Sequence, residues 1–307
     1  MSQTEAAGAR PAIPALDDPQ PLKAALWMTG AIASFSSMAV AGRQVSLSMD
    51  TFELMTWRSV VGVLIVLTVA LVRRRSGDIH VRRMGLHLIR NIAHFTGQNL
   101  WFLAITLIPL AQVFALEFTS PLWVALLAPL LLNERLTRTR ALSAATGFLG
   151  ILIVARPNPA HLDPGILAAA TAAVCFALTA IFTKRLTRTE PVISILFWLT
   201  TMQAIFGVIC ALAKDGALAL PDAGTGPWLV LIGCAGLLAH FCLTTALSLA
   251  PASIVIPFDF ARLPVIAVVG MLLYHEPLDI FVFLGAALIF VANFVNIRAE
   301  TRASVQR

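Results

Sequence analysis

Residues 104–109 read Ala-Ile-Thr-Leu-Ile-Pro, and the related string Ala-Leu-Ser-Leu-Ala-Pro follows at residues 246–251, 142 positions later. The same offset, without a gap, aligns three further pairs: Glu117 with Asp259, Glu134 with Glu276, and Arg156 with Arg298. Similarity at a fixed spacing is the signature of an internal repeat. The chain is therefore predicted to contain two related halves with the same order of helices.

Long apolar runs surround this repeated string. Of the 307 residues, 58% are hydrophobic and 12% are charged, about half the charged share of an ordinary soluble domain. A helix needs about 20 residues to cross a bilayer, where every backbone polar group must be bonded within the segment. The runs predict an all-α integral membrane protein with ten spans: residues 23–42, 52–72, 85–107, 110–132, 139–155, 165–183, 192–213, 227–249, 253–274 and 280–298.

The number of spans in each half predicts how the halves are oriented. Each half holds five spans, an odd number, so the second must be upside down relative to the first. The predicted fold is two inverted five-helix repeats, at residues 23–156 and 163–298. Inverted repeats place a binding site near the membrane midplane between the halves.

The basic residues predict the orientation of the chain in the membrane, since cytoplasmic loops retain Lys and Arg. With the N-terminus inside, 16 basic residues fall on the inner side and three on the outer side. Both tails, residues 1–22 and 299–307, are therefore predicted to be cytoplasmic, the first without a cleavable signal. The net charge of +6 reflects this topology and attraction to anionic lipid, and is no evidence for a nucleic-acid partner. The predicted location is the bacterial cytoplasmic membrane.

Motifs for catalysis are missing from the sequence. It has no His-Glu-x-x-His, paired cysteines or Walker loop, and these would be the signs of metal, redox or nucleotide chemistry. The four cysteines all fall within predicted spans, where a Cys usually acts as a small apolar residue. The prediction is a protein that is not an enzyme, without a metal or cofactor. A carrier suits inverted halves better than a channel, and transport must be driven by a gradient.

The third span carries the richest set of polar residues. His94, Gln98 and Trp101 recur at spacings of four and three and so share one helical face, with Asn99 beside them and Arg90 one turn away. Polar groups inside a membrane usually face a cavity or a partner helix. The stripe predicts a substrate site with hydrogen bonds from amides and imidazole and an indole for stacking. A polar seam between helices is the alternative.

Charged residues inside the spans are the second indication of a site. Asp259 and Arg262 are three residues apart and can pair on one face, either as a neutralising pair or as part of a substrate site. Glu117 has no basic residue at that spacing, so we expect it to hold a proton or to pair with Arg58 or Arg90. Arg58 lies near the start of its span and also has the option of extending to the interface.

Further polar residues and prolines complete the predicted site. Gln112 on the fourth span, with His240 and Thr244 on the eighth, are predicted to line the cavity from both halves, or to join helices. Kinks are expected at three prolines: Pro121, Pro257 and Pro264. Small residues near Gly150 and Gly285 permit close helix contact, within a monomer or at the face of a weak homodimer.

Three segments resemble the EamA family of the drug/metabolite transporter superfamily over residues 22–298. They are Phe52-Glu53-Leu54-Met55-Thr56-Trp57-Arg58, the segment from Pro109 to Pro121, and Asn133-Glu134-Arg135-Leu136 with its echo His275-Glu276-Pro277-Leu278. The resemblance implies a ten-helix basket in which helices one, three, four, six, eight and nine line a central cavity.

Within that family the sequence looks most like amino-acid exporters of the YddG type. This resemblance implies export of aromatic and other neutral amino acids. For such a substrate we expect Trp101 to contact the side chain, Glu117 to hold the ammonium or a proton, and three amides to bind the polar ends: Gln98, Asn99 and Gln112. Residues 91–95 and 111–117 also look like sequence of bacterial carriers for flavins and other metabolites, which is the alternative substrate class. A fold transfers between such relatives more safely than a substrate does.

Overall fold

The computed structural model describes residues 20–132, 138–156, 163–250, 255 and 258–305. Within these residues the chain is all helical, with a short 3-10 helix at Ser76–Asp78 and eleven α-helices: α1 Pro21–Val45, α2 Thr51–Val72, α3 Met84–Leu107, α4 Leu110–Glu117, α5 Ser120–Leu132, α6 Arg138–Ala155, α7 Pro164–Leu186, α8 Val192–Asp215, α9 Gly226–Leu249, α10 Arg262–Tyr274 and α11 Ile280–Val305. Most of the N-terminal tail lies outside the described residues, as do Glu134 and Pro257. The expected C-terminal tail instead continues α11 as far as Val305.

Seven segments of the described chain are long and apolar enough to cross a membrane, and two shorter apolar helices accompany them. The seven include α4 and the first part of α5 as one span, Leu110–Leu127. The third predicted span, α3, is absent from the seven, and it is the helix that carries Arg90, His94 and Gln98. Its polar stripe lowers its mean hydropathy, and the site discussed below lies on this helix.

Side-chain caps fix where several helices begin. The Asp50 carboxylate accepts hydrogen bonds from the backbone N–H groups of Phe52 and Glu53, while the Glu53 carboxylate accepts from the Asp50 N–H, which makes a capping box at the start of α2. Asp163 caps α7 in a related way, ahead of a proline at the first helical position. Such caps bond backbone groups that have no partner within the helix.

The helices follow the offset of 142 residues. Helix α9 begins and ends 142 positions after α3, and α10 ends 142 positions after α5. The most extensive packing is between α1 and α9, α3 and α7, α6 and α11, and α2 and α8. At this offset α1 is equivalent to α7 and α3 to α9, so the contact of α1 with α9 is equivalent to that of α7 with α3. In the other two pairs, each helix packs against its own equivalent. The packing therefore has the pattern expected for two repeats related by a pseudo-two-fold axis.

Two of the spans are interrupted at equivalent places. The fourth is broken at Phe118 and Thr119, between α4 and α5, and Pro121 lies in the first turn of α5. The equivalent residues, Phe260 and Ala261, precede α10, whose third residue is Pro264. Phe118 and Phe260 stack on each other with ring centroids 4.4 Å apart. Each broken helix therefore meets the other through the same aromatic residue.

The small residues expected at a packing face lie between α6 and α11. A Cβ added to Gly150 would come within 2.8 Å of the Gly285 carbonyl oxygen, and one added to Gly285 would come within 2.7 Å of the Gly150 carbonyl oxygen. Any side chain would force the two backbones apart. In this chain these glycines therefore bring two helices of one molecule together.

Candidate transport site

The two repeats meet around the guanidinium of Arg262, which is 3% exposed. Its Nη2 lies 3.2 Å from Glu117 Oε1 and 3.4 Å from Asp259 Oδ2. Glu117 and Asp259 are equivalent residues of the two halves, so one arginine bridges a symmetric pair of carboxylates. Aromatic rings of Phe35, Phe114 and Phe118 surround the guanidinium at 4.5–4.9 Å from their centroids. A buried arginine normally needs such acceptors and π-faces to offset its lost hydration.

This arrangement corrects two expectations. Glu117 pairs with Arg262, and neither Arg58 nor Arg90 contacts it. The indole of Trp101 is 2% exposed, and its Nε1–H donates to Glu117 Oε2 at 2.8 Å. The ring also packs edge to face against Phe102 and Phe114. Trp101 therefore orients the carboxylate and does not offer a free stacking surface.

Arg58 reaches into the protein instead of extending to the membrane interface. Its Nη1 donates to Gln98 Oε1 of α3 and lies 3.7 Å from the sulfur of Met55. A Cβ added to Gly236 of α9 would lie 3.7 Å from its Nη2, and the guanidinium carbon lies 5.7 Å from the centroid of Phe102. The side chain is partly exposed. Arg58 thus occupies the space between α2, α3 and α9.

Arg90 has a second, more enclosed position near α7. It is 7% exposed, and its Nε and Nη1 donate to Thr183 Oγ1 and Asn91 Oδ1 at 3.1 and 2.8 Å. The Asn91 amide in turn donates to the backbone carbonyl of Trp198 at 3.2 Å. Within the described chain no carboxylate lies within ion-pair distance of Arg90 or Arg58. The expectation that these arginines act as charge pairs is wrong for the described residues.

Two histidines face the same interior. His94 is 7% exposed, and its ring lies 6.1 Å from that of Phe176 while its Nδ1 has no hydrogen-bond partner. His240 on α9 is exposed and meets Phe35 edge to face at 5.8 Å. Both lie within electrostatic reach of Arg58 and Arg90. The structure therefore brings His94, Gln98, Arg58, Arg90 and His240 into one polar region.

Other predicted residues lie elsewhere or take part in bonds within their helix. The Asn99 amide donates to the carbonyl of Phe95 on its own helix, and Thr244 is exposed one turn after His240. The Gln112 amide donates to the Val154 carbonyl at 3.0 Å. Gln112 also lines a separate cavity of about 200 Å³, bordered by Arg156 and by the segment that follows α10. Gln112 therefore does not join the group around Arg58.

The sequence prediction missed an ion pair at one end of the bundle. Arg43 on α1 bonds the carboxylate of Glu276, which follows α10, and also the carbonyl of Ile105 and, at 2.8 Å, that of Ile108. The other Glu276 oxygen accepts from the Leu110 N–H at the start of α4, at 2.9 Å. Glu276 therefore caps α4, a helix of the other repeat.

The buried titratable side chains do not form a metal site in the described part of the chain, where no group of three or more His, Cys, Asp or Glu side chains could hold an ion. What the geometry provides is a polar interior rich in guanidinium and amide donors. This interior lies between broken, symmetry-related helices in a membrane-spanning bundle. These are the features of a secondary transporter, in which substrate binds at discontinuous helices between two repeats.

The sequence matches the model of the EamA-like transporter family twice, over residues 22–156 and 163–298. The chain belongs to this family and is a multi-pass membrane transporter.

Among the curated relatives, a riboflavin transporter of Brucella anthropi is 33% identical over 252 residues, which cover 81% of this chain and 88% of that protein. A riboflavin transporter of Vibrio cholerae is 29% identical, covering 92% and 96%. An S-adenosylmethionine uptake transporter of Rickettsia felis is 25% identical, covering 90% and 93%. The names of these relatives favour the alternative substrate class over the expected amino-acid exporters.

A solved protein structure shares the fold with a TM-score of 0.64 at 19% identity, over 89% of this chain and 96% of the other. At this level of identity the likeness supports the fold alone.

Proposed function

We propose that the chain is a carrier that moves riboflavin, or a metabolite of similar shape and polarity, across the bacterial cytoplasmic membrane. In this proposal it works as a monomer of two inverted five-helix repeats with both termini in the cytoplasm. The observation that carries it is the interior guanidinium of Arg58, partly exposed between α2, α3 and α9 and flanked by Gln98 and Phe102. Relatives named riboflavin transporters cover most of the chain.

The chemistry of riboflavin fits this lining. Its ring system is flat, aromatic and uncharged, with carbonyl and nitrogen acceptors along one edge and a polyhydroxylated side chain. Hydrogen-bond donors on Arg58 and Gln98 suit the acceptor edge, while Phe35 and His240, which meet edge to face, supply aromatic surface. Sites for small molecules typically combine apolar walls with a few placed polar groups.

The broken helices support a carrier mechanism. Each break occurs at an equivalent position, and the two segments meet through Phe118 and Phe260. Bending at these points would let the two halves rock against each other around a fixed site. The ion pair of Arg43 and Glu276 fastens α1, α4 and the segment after α10 together at one end. We infer that this end is closed in the present conformation and that opening it requires the pair to separate.

Transport by purified protein in liposomes tests the proposal. Uptake of labelled riboflavin, S-adenosylmethionine, phenylalanine and methionine would be measured, each with excess unlabelled compound, with and without a pH gradient. Saturable riboflavin flux with counterflow is expected, and its response to the gradient reports whether protons are coupled. Protein-free liposomes are the control. Amino-acid flux without riboflavin flux would overturn the substrate assignment but keep the carrier, and flux that does not saturate would point to a channel.

A further inference from the structure

Two arginines inside the bundle, Arg58 and Arg90, have no carboxylate of the described chain within ion-pair distance. Arg262 differs from them, because the carboxylates of Glu117 and Asp259 are both within ion-pair distance of its guanidinium. The hydrogen-bond partners of Arg58 and Arg90 are all neutral: two amides, a hydroxyl and a thioether. An uncompensated charge is costly in a membrane protein and marks a functional position by default. A ligand that brings acceptors or negative charge would stabilise these two groups.

Of these two arginines, Arg58 is the one that a ligand can reach. Arg90 is 7% exposed, with two of its nitrogens bonded within the bundle. Arg58 is partly exposed and uses only Nη1 in its hydrogen bonds to the described chain. Its Nε and Nη2 make no hydrogen bond to the described chain, yet neither atom is fully buried. Arg262 Nε, in contrast, is fully buried without a partner. One edge of the Arg58 guanidinium is therefore both unbonded and open.

The surroundings hold that edge in a fixed direction. Gln98 Oε1 accepts from Nη1 on one side, while the guanidinium carbon lies over the ring of Phe102, 5.7 Å from its centroid. On α9, a Cβ added to Gly236 would lie 3.7 Å from Nη2 and also 3.7 Å from the sulfur of Met38. A methyl group would therefore be in van der Waals contact with Nη2 and Met38, and a larger side chain at this position would crowd the guanidinium. The result is a two-donor fork that has no partner in the described chain.

We propose that this fork, the Nε and Nη2 edge of Arg58, binds a pair of adjacent acceptor atoms on the substrate. Planar pairs of this kind occur in carboxylates and in the N1 and C2 carbonyl edge of a flavin ring, and arginine binds them with two parallel hydrogen bonds. The inference rests on the proposed flavin carrier and adds the part of the substrate that is recognised. It assigns Arg58 as the residue that selects this edge of the substrate. Gln98 is the residue that positions the Arg58 guanidinium.

Flavin analogues give a direct test with the full-length protein in liposomes. 1-Deazariboflavin lacks the N1 acceptor, whereas 5-deazariboflavin keeps the N1 and C2 carbonyl edge and differs at a distant atom. Each would compete with labelled riboflavin for transport by the wild type and by Arg58→Gln, Arg58→Lys and Gln98→Ala. Arg185→Gln is the matched control, since it removes an exposed arginine near the end of α7. Size-exclusion profiles confirm that each variant is folded.

The expected result is selective loss of edge recognition. Wild type and Arg185→Gln should prefer 5-deazariboflavin over 1-deazariboflavin by about tenfold, because one charge-assisted hydrogen bond is lost. Arg58→Gln should bind riboflavin about tenfold more weakly or worse and treat the two analogues alike. Arg58→Lys, which keeps the charge without the fork, should recover part of the affinity but little of the preference. Gln98→Ala should weaken the preference while Arg58 remains.

Two results would overturn the assignment of Arg58. The first would leave the proposed flavin carrier in place, and the second would not. If folded Arg58→Gln kept the wild-type preference between the analogues, Arg58 would not recognise this edge, while the flavin carrier would stand. If Arg58→Gln cannot be purified, wild-type preference in both Arg58→Lys and Gln98→Ala leads to the same conclusion. If the wild type moved no flavin, the proposed function and this inference would both fail.

Discussion

The two halves of the molecule share a framework, meaning their helices and hinges. They differ in their lining, meaning the side chains that face the interior. Helices α3 and α9 have the same length and equivalent bounds, and both broken spans carry a carboxylate followed by a stacked phenylalanine. The interior side chains are not repeated, as the equivalent pairs show: Arg58 with Thr200, His94 with Gly236, and Gln98 with His240. The equivalence lies in the backbone and hinges, and the chemistry of the site differs from one half to the other.

This difference corresponds to two separate requirements of a carrier. Rocking between two states needs hinges of matching geometry in both halves, because each half must bend as the other relaxes. A substrate such as a flavin has no two-fold symmetry, so its binding groups cannot be equivalent. The Arg58 fork and Gly236 beside it therefore come from opposite halves as an unlike pair. Substitutions in the framework should affect stability and motion, and substitutions in the lining should affect affinity.

The largest effect is expected at Arg262, the one arginine that bridges the carboxylates of the two halves. Arg262→Met should lower the free energy of unfolding by about 3–5 kcal/mol, because two symmetry-related carboxylates would be left without a cation. Thermal unfolding in detergent measures the loss, with exposed Arg185→Met as the control. Adding Glu117→Gln and Asp259→Asn to Arg262→Met should restore part of the stability. Wild-type stability in the single variant would mean that Arg262 does not hold the halves together.

The next effect concerns Arg43 and Glu276, which join the halves through residues that are not equivalent. Glu276→Gln should cost about 1.5–3 kcal/mol, the range for hydrogen bonds to charged groups, and should favour opening at that end. A cysteine at Ala111, which lines the adjacent cavity, reports opening through its reaction with a membrane-impermeant thiol reagent after the native cysteines are replaced. Faster labelling is expected in Glu276→Gln than in the parent. Equal rates would show that this pair does not close the end.

A smaller effect is expected at the paired hinge residues Phe118 and Phe260. Replacing each by Leu, alone and together, forms a double-mutant cycle that isolates their ring contact. The coupling energy should be about 0.5–1.5 kcal/mol, as for other aromatic pairs, and the two single variants should lose similar amounts of transport. A pair of equal but additive effects would indicate that the rings pack independently. Leu122, a neighbouring buried residue, provides the comparison site through Leu122→Met.

The smallest effect is expected at Asp50, a cap that the first half has and the second lacks. Burial raises the pKa of Asp50, but the hydrogen bond and charge of Lys214, together with backbone N–H groups, outweigh it and hold the pKa below the ordinary 3.8. The stabilisation is present above that value and is lost as the pH falls through the lowered pKa.

Asp50→Asn tests this pH dependence because Asn still caps a helix but has no charge for Lys214, whose amine lies 2.7 Å from the carboxylate. The variant should lose up to about 1 kcal/mol at neutral pH. The difference from wild type should vanish in acid, as measured by thermal unfolding across a pH series. A difference that persists in acid would attribute the loss to the cap and not to the charge.

Regular spacing made much of the fold predictable. The offset of 142 residues fixed equivalent helices, and the predicted span at residues 85–107 differs from α3, Met84–Leu107, by one residue at its start. The contact between Asp259 and Arg262 also followed from their spacing on one chain segment. Helical periodicity defines which residues share a face, and it does so without knowledge of neighbouring helices.

The site was less predictable because it depends on which helices face each other. Nothing in the spacing of Glu117 indicates that its partner is Arg262, 145 residues later. Trp101 was assigned to the cavity by its face, but the turn of the neighbouring α4 brings Glu117 to its indole and buries it. Arg58 was ambiguous because an arginine near a helix end can extend to the interface or into the bundle. Gly236 lies beside Arg58. In the sequence it is one glycine of an apolar run, and nothing there indicates that it faces an arginine.

The stacking of Phe118 on Phe260 has a consequence for how the two halves can change over evolutionary time. At most positions a residue and its counterpart lie far apart, so each repeat can accumulate substitutions without regard to the other. On the symmetry axis a residue touches its own counterpart, so a replacement in one repeat alters the surroundings of the other at once. Divergence of the repeats should therefore be slowest and most coordinated here, and a combined library at these two positions should yield functional pairs that neither single library contains.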